Sequence, residues 1–342
     1  MVRFILRSLM GCALALAGAK SASAEGLVLG VNERIANHHD AQSADIDSIW
    51  SATRWLGVQW VRENLVWPEI EEKPDVYRVP RLLDEFIRSR PSNRSLLVVL
   101  GFANLHRTPS LPVDGSSQAA YRRYLDYVIG SYAPYVDAWQ VWNEPNINGP
   151  GGTPPVDATV AATATRLTRA VVDSLDPTAL VVGPAILGRD EAWATAYHRT
   201  GADTLVDVIA IHYYPSQYGK YGPWAGFGQW MDRLRRLWPG RPIWVTETGA
   251  MAQASPSQTA ALDSELADAD RYGVAVLFWW NLRDFNHRQG GEYSCGLYTV
   301  AWQPKPAAFA FRAAATARAR PARSIDRATE PLRSAPSDSG SK

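Results

Sequence analysis

The run Ala138-Trp139-Gln140-Val141-Trp142 passes directly into Asn143-Glu144-Pro145-Asn146. A short stretch rich in apolar and aromatic side chains thus ends in an amide, a carboxylate and a proline. Such a stretch is too short for a buried helix and reads as a buried strand with polar groups at its exit. Seven more candidates of this kind lie on either side: Leu27–Val31, Val58–Arg62, Ser95–Gly101, Leu180–Gly183, Val206–Ile211, Ile243–Thr246 and Ala275–Trp280. Stretches with helical periodicity separate them, notably Asp45–Leu56, Ser117–Tyr132, Asp157–Leu175 and Gln258–Tyr272. Strands apolar on both faces and alternating with helices imply a parallel sheet covered by helices. Eight such units predict an α/β fold, a (β/α)8 TIM barrel forming a single catalytic domain. No glycine-rich dinucleotide fingerprint follows the first strand.

Functional groups of such a barrel come from the C-terminal ends of its strands. Strand two ends in Arg62, and strand six runs into His212-Tyr213-Tyr214. Strand seven runs into Glu247-Thr248-Gly249, and strand eight ends in Trp279-Trp280-Asn281. Glu144 and Glu247 therefore stand at matching strand ends. Two carboxyls across a cleft are what glycoside hydrolysis requires: one donates a proton to the departing oxygen, and the other attacks the anomeric carbon. A glutamate at the end of an apolar strand, among polar and aromatic neighbours, is a poor candidate for a surface charge.

These motifs, in this order, resemble the clan A retaining glycoside hydrolases over roughly Leu27 to Ala317. The matching positions are Arg62, Asn143-Glu144-Pro145, His212-x-Tyr214, Thr246-Glu247-Thr248-Gly249 and Trp280, with Gly296-Leu297-Tyr298 and Pro304-Lys305-Pro306-Ala307 leading into the last helix. Within the clan the chain is most similar to bacterial family 39 and cellulase-like family 5 enzymes, including endoglycosidases that trim exopolysaccharides. The resemblance implies Glu144 as acid/base and Glu247 as nucleophile, with carboxyls about 5 to 5.5 Å apart. It implies that Asn143 holds the sugar's 2-hydroxyl, that Arg62 and Tyr214 orient Glu247, that His212 lines the same subsite, and that Trp280 lies under the sugar ring. Strand alternation lets only one of Trp279 and Trp280 face the barrel axis.

His38, His39 and Asp40 follow strand one and His106 follows strand three, so rim positions make them candidate substrate contacts. Neither a helical i, i+4 spacing nor a cysteine partner supports a metal site there, and no metal or cofactor is expected. Trp67, in the second loop, is either a sugar platform or a packing residue.

The first 24 residues have the form of an export signal: Arg3 and Arg7, an apolar Leu9–Ala19, then Ala22-Ser23-Ala24. A lipid-modified Cys12 is the lesser alternative. The apolar run is too short to span a bilayer. The expected divisions are a signal over 1–24, the hydrolase domain over 25–317 and a disordered Arg/Ala/Ser/Pro tail over 318–342. Without the signal, 35 basic residues lose three against 34 acidic ones. That balance gives no drive toward nucleic acid or anionic membranes. Cys295 then stays alone and reads as a small, partly buried residue. The expected protein is a secreted or periplasmic monomer acting on a polysaccharide or oligosaccharide. The competing expectation is a catalytically weak carbohydrate-binding barrel. An aldolase would need a lysine at a strand end, and none occurs there.

Overall fold

A computed structural model describes residues 26–35, 42–149, 154–215, 226–251, 257–285 and 294–318. The expected signal, nearly all of the expected tail, and His38, His39 and Asp40 lie outside the described residues.

Nine strands form one parallel sheet: β1 Val28–Asn32, β2 Trp60–Asn64, β3 Ser95–Leu100, β4 Ala138–Val141, β5 Leu180–Val182, β6 Ile186–Leu187, β7 Ile209–His212, β8 Ile243–Thr248 and β9 Val276–Trp279. Their order in the sheet is β5-β4-β3-β2-β1-β9-β8-β7-β6. The two ends of that order are consecutive in the chain, separated only by Gly183-Pro184-Ala185. They also meet in space. Asp207 N donates to Val181 O at 2.7 Å and Gly183 N to Val208 O at 2.9 Å, while Asn143 bridges to Ala185. The sheet is therefore curled; the expected strand Leu180–Gly183 appears as β5, and a short strand that was not expected, β6, follows it after a break. Pro184 has no N–H to give a ladder, which accounts for the break between β5 and β6.

Helices cover the outside: α1 Ser43–Leu56, α2 Trp67–Ile70, α3 Arg81–Arg88, α4 Gly115–Tyr132, α5 Ala158–Leu175, α6 Glu191–Arg199, α7 Phe227–Leu237, α8 Gln258–Arg271 and α9 Pro306–Arg318. Helix α9 includes Arg318, the residue at which the tail was expected to start. Local chemistry sets several helix starts. Asp114 accepts from Ser117 N at the head of α4, and Ser257 accepts from Ala260 N at the head of α8. Gly57 stops α1 in a left-handed conformation that glycine adopts freely. Among the described residues no helix is long and apolar enough to cross a membrane.

Two apolar clusters result from the strand period of two. The outer one joins sheet to helices and includes Leu29, Val31, Val61, Leu96, Val98, Trp139, Val245, Leu277 and Trp279. The inner one fills the curl with Leu97, Ala138, Val182, Val208, Ala210, Trp244, Val276 and Phe278. Gly30 belongs to the inner face by alternation, and a Cβ there would lie 2.6 Å from the Phe278 ring. Its missing side chain makes room for that ring. Continuing the inner-face pattern by two residues toward the C-terminal ends brings up Asn32, Arg62, Gln140, His212 and Trp280. The polar layer thus sits directly on the apolar one.

Candidate active site

Arg62 is the hub of this layer and is only 1% exposed. Its Nη1 donates to Glu247 Oε1 at 2.5 Å and to Asn32 Oδ1 at 2.6 Å. Its Nε donates to Gln140 Oε1 at 3.0 Å, and its Nη2 to Asn143 Oδ1 at 2.6 Å. A buried guanidinium is costly unless its donors are met. Here every nitrogen has an acceptor, and one acceptor is an anion. The Asn143 oxygen is thereby taken, which leaves its amide N–H2 as a donor.

Glu247 receives a second donor: the Tyr214 hydroxyl, 2.8 Å from Oε2. His212 is fully buried. Its Nδ1 lies 2.6 Å from Glu144 Oε1 and 3.5 Å from Glu247 Oε2, so one ring nitrogen faces both carboxylates. Its Nε2 has no hydrogen-bond partner among the described residues. Burial opposes the charge on Glu247. Attraction to His212 and Arg62, with hydrogen bonds from Tyr214 and Arg62, outweighs it and holds the carboxyl below the usual range. Burial, then the charges of Glu247 and Glu144, push the Tyr214 phenol well above its ordinary value, so it remains a donor.

The direction of Glu247 depends on an irregularity. Trp244 belongs to the inner cluster and Val245 to the outer one, so strict alternation would send residue 247 outward. The pairing of β8 shifts register between Val245 and Thr248, and that of β7 shifts between Ile211 and His212. This irregularity turns Glu247 to the inside and leaves Thr248 facing helix α8, where its Oγ1 donates to Glu265 Oε2 at 2.7 Å.

Glu144 comes from the end of β4 by a different route. Gly101, Phe102, Trp142 and Glu144 all have positive φ, with Glu144 at 45°. Such conformations are costly for non-glycine residues and collect where the surroundings force them. Glu144 N donates to Ala185 O at 3.0 Å, tying the turn to the break between β5 and β6. The Glu144 side chain is 21% exposed against 10% for Glu247. One ligand atom each from Glu144, His212 and Glu247 lie within 4.8 Å of one another. Three such donors can in principle hold a cation. Both Glu247 oxygens, however, already accept from Arg62 or Tyr214, and the guanidinium would repel an added metal. The set suits an ion-paired carboxylate better than a metal centre.

The structure thus brings Arg62, Asn143, His212 and Tyr214 together around the two glutamates. Trp280 is half-buried beside Phe285, with ring centroids 6.0 Å apart, whereas Trp279 is fully buried and donates through Nε1 to Cys295 O. A Cβ on Gly249 would lie 2.3 Å from Trp280 O, so the residue two beyond Glu247 must be small. Cys295 is fully buried, deeper than expected.

Trp67 corrects an expectation. It is fully buried between Tyr121 and Tyr124, and its Nε1 donates to Glu71. It is a packing residue with no face free for a sugar. The His106 side chain is exposed on the loop after β3, and no contact joins it to the glutamates. Sequence reasoning missed Asn32 and Gln140. The signal for Gln140 was present: a lone amide within the apolar run of β4.

The family described as "Glycosyl hydrolase catalytic core" matches residues 129–273, a segment holding both glutamates, His212 and Tyr214. No curated protein matches the sequence. Among solved structures, a family 39 glycoside hydrolase from Bacteroides cellulosilyticus WH2 is 20% identical, with a TM-score of 0.65 over 86% of this chain and 64% of that one. The beta-glucuronidase of Ruminococcus gnavus is 18% identical, with a TM-score of 0.61 over 85% and 50%. A family 5 subfamily 18 glycoside hydrolase from Streptomyces cattleya is 23% identical, with a TM-score of 0.67 over 86% and 81%. The chain therefore spans less than two thirds of the first two relatives. The resemblance to clan A glycoside hydrolases, read from the strand-end motifs, meets the same group of proteins here by fold and by family match.

Proposed function

We propose that the protein is a retaining glycoside hydrolase that cleaves β-linked O-glycosidic bonds of a carbohydrate substrate by double displacement. Counting β5 and β6 as one interrupted strand, we take the curled sheet as an eight-stranded (β/α)8 barrel with one active site at its C-terminal rim. The observation that carries the reading is a carboxylate pair with oxygens within 4.8 Å, only one member of which is held by a buried cation and a phenol. A retaining pair stands about 5 to 5.5 Å apart, whereas an inverting pair leaves roughly 6.5–9.5 Å for a water.

In this mechanism the ionised Glu247 attacks the anomeric carbon. That bond forms as the bond to the leaving oxygen breaks, and the oxygen takes a proton from Glu144. Glu144, now a carboxylate, removes a proton from a water that attacks the same carbon and releases Glu247. The Asn143 amide nitrogen serves as donor to the 2-hydroxyl, a contact that strengthens as positive charge develops on the ring. Trp280 offers its face beneath the sugar.

The test is hydrolysis of a panel of β-linked aryl glycosides and oligosaccharides, followed by proton NMR of the first-formed sugar. A β anomer that only later mutarotates is expected. A first-formed α anomer rejects double displacement, and no turnover of any β-glycoside rejects the hydrolase. We further propose export with removal of residues 1–24. N-terminal sequencing of the mature protein should then begin at Glu25, and an acylated Cys12 would reject that route.

A further inference from the structure

We infer that the leaving-group side of the site is an apolar pocket for an alkyl or aryl aglycone rather than for a second sugar. This inference rests on the proposed roles of Glu144 and Glu247. A cavity of about 120 Å³, open to solvent on one side, lies against Glu144. Glu247, Arg62, Tyr214 and Trp280 do not line it. It therefore extends from the proton donor away from the nucleophile, where a departing group lies in a displacement of this geometry.

Its walls come from the loops after β3 and β4. Apolar side chains, Phe102, Leu105, Leu111, Pro145, Ile147 and Val156 among them, supply most of the lining. Among the described residues, Ser110, Asn143 and Glu144 are its polar side chains, and Glu144 is the only charged one. The Asn143 oxygen is already committed to Arg62. A pyranose entering such a pocket would give up water from several hydroxyls with few partners in return, a loss that counts against binding. An alkyl chain or aromatic ring has no such hydroxyls and gains by burial. Leu105 is 62% exposed at the rim. An occupant of the pocket that reaches the rim would meet the Leu105 side chain.

The pocket is also preformed. Buried Glu71 accepts from Arg107 and, through its backbone O, from Asn104 Nδ2 at 3.0 Å. Arg107 reaches on to Asp75 at 2.9 Å. These contacts fix the loop that carries Leu105, Ser110 and Leu111. On the opposite wall Val156 N donates to Pro145 O at 2.6 Å. Phe102, Trp142 and Glu144, all of positive φ, converge on this pocket. A rigid apolar cavity with few polar groups suits a small apolar ligand and loses little order on filling.

The experiment compares methyl and hexyl β-glycosides of the same sugar, in glucoside, mannoside and glucuronide pairs. The two alcohols depart with nearly equal acidity, so their ratio of kcat/KM reads contact with the chain and not protonation. The expected hexyl-over-methyl ratio is about tenfold or more, the effect of burying two or more methylenes. Leu105→Asp, at a surface position, should bring the ratio toward one, while Leu105→Phe should keep it high. Calorimetry on Glu247→Gln measures the same pairs without turnover and should show the same preference. Hydrolysis with a ratio near one, a ratio that Leu105→Asp leaves intact, or faster cleavage of a disaccharide than of the hexyl glycoside of the same sugar overturns the apolar subsite and spares the hydrolase. Hexyl-selective, Leu105-dependent binding with no cleavage of any pair upholds the pocket and overturns the hydrolase.

Discussion

The two glutamates at the rim occupy unlike ground. Around Glu247, which β8 carries, β2 and the end of β7 bring Arg62, His212 and Tyr214 into one buried web aimed at a carboxylate, with Asn32 of β1 accepting from Arg62 behind it. Around Glu144, the ends of β3 and β4 bring apolar walls, a single histidine contact and an opening to solvent. In the proposed mechanism the same side chain takes two tasks, each matched to its surroundings. Cations and hydrogen bonds favour a persistent anion on one side. On the other side the opening to solvent gives the leaving group and the attacking water access to Glu144 in the proposed mechanism. The difference teaches that the roles are written in the supporting residues more than in the glutamates themselves.

The most severe way to break this comparison is to remove each carboxylate in turn. Glu247→Gly should reduce turnover by more than about 10⁴-fold on every substrate, since the attacking atom is gone. Azide should restore cleavage of an activated aryl β-glycoside and give the inverted glycosyl azide, because the small anion attacks from the vacated face. Glu144→Ala should cost on the order of 10² to 10⁴-fold for a poor leaving group and much less for a good one. With that variant azide should give the retained product, since it meets a covalent intermediate already formed on Glu247. NMR of the azide products decides the matter. If the configurations are exchanged, so are the roles.

A milder perturbation acts on the web alone. Tyr214→Phe removes one hydrogen bond to a charged carboxylate, worth about 1.5–3 kcal/mol, or roughly ten- to hundredfold in rate. It should also move the pH profile. Glu247 is held below the ordinary carboxylate range partly by Tyr214. The acid limb of kcat/KM, which reports the free enzyme, should therefore shift to higher pH in the variant. An acid limb that stays in place would mean that Glu247 is not the group titrating there.

Much of this arrangement was legible because burial and alternation leave plain marks on a sequence. The apolar runs found every full-length strand, and the polar residues at their exits named Arg62, Asn143, His212 and Tyr214. The interrupted fifth unit was not legible: Ile186-Leu187 is too short to carry a periodic signal, and its pairing comes from β7. Nor was the register shift in β8. Alternation alone turns Glu247 away from Arg62, and only the paired neighbours show the correction. Trp67 was ambiguous because an aromatic residue in a loop looks the same whether it packs on Tyr121 and Tyr124 or meets a sugar. Short helices such as α3 and α6 escaped for want of length. Asn32 and Gln140 could have been found by asking what a buried arginine needs on all its nitrogens.

The smallest expected effect sharpens the comparison by supplying a buried glutamate without cations. Glu265, on α8 behind Glu247, is fully buried with Thr248 as its donor, and desolvation pushes its carboxyl up to about 8 despite that bond. Glu247 is buried as well but shifts the other way. Burial is common to both, so Arg62, His212 and Tyr214 make the difference. The two therefore contribute to stability in opposite directions. A depressed carboxyl such as that of Glu247 stabilises the fold above its unfolded value, and this is lost as pH falls through the folded one. For Glu265 the folded protein holds a proton that the unfolded chain releases above about 4.5. Its stabilising contribution is complete below that value and is lost as pH rises to about 8. Glu265→Gln cannot ionise, so its thermal midpoint should decline less steeply than that of the parent chain between pH 4.5 and 8. At about 1.4 kcal/mol per pH unit and roughly 2–4 °C per kcal/mol, the two slopes should differ by about a few degrees per pH unit. Glu63, also buried and raised to about 8, shares no hydrogen-bond partner with Glu265. Glu63→Gln should flatten the same window further, and calorimetric scans across that range would show it. Parallel curves for the parent chain and both variants would mean that neither glutamate carries its proton in the folded state. The contrast with Glu247 would then lose its basis.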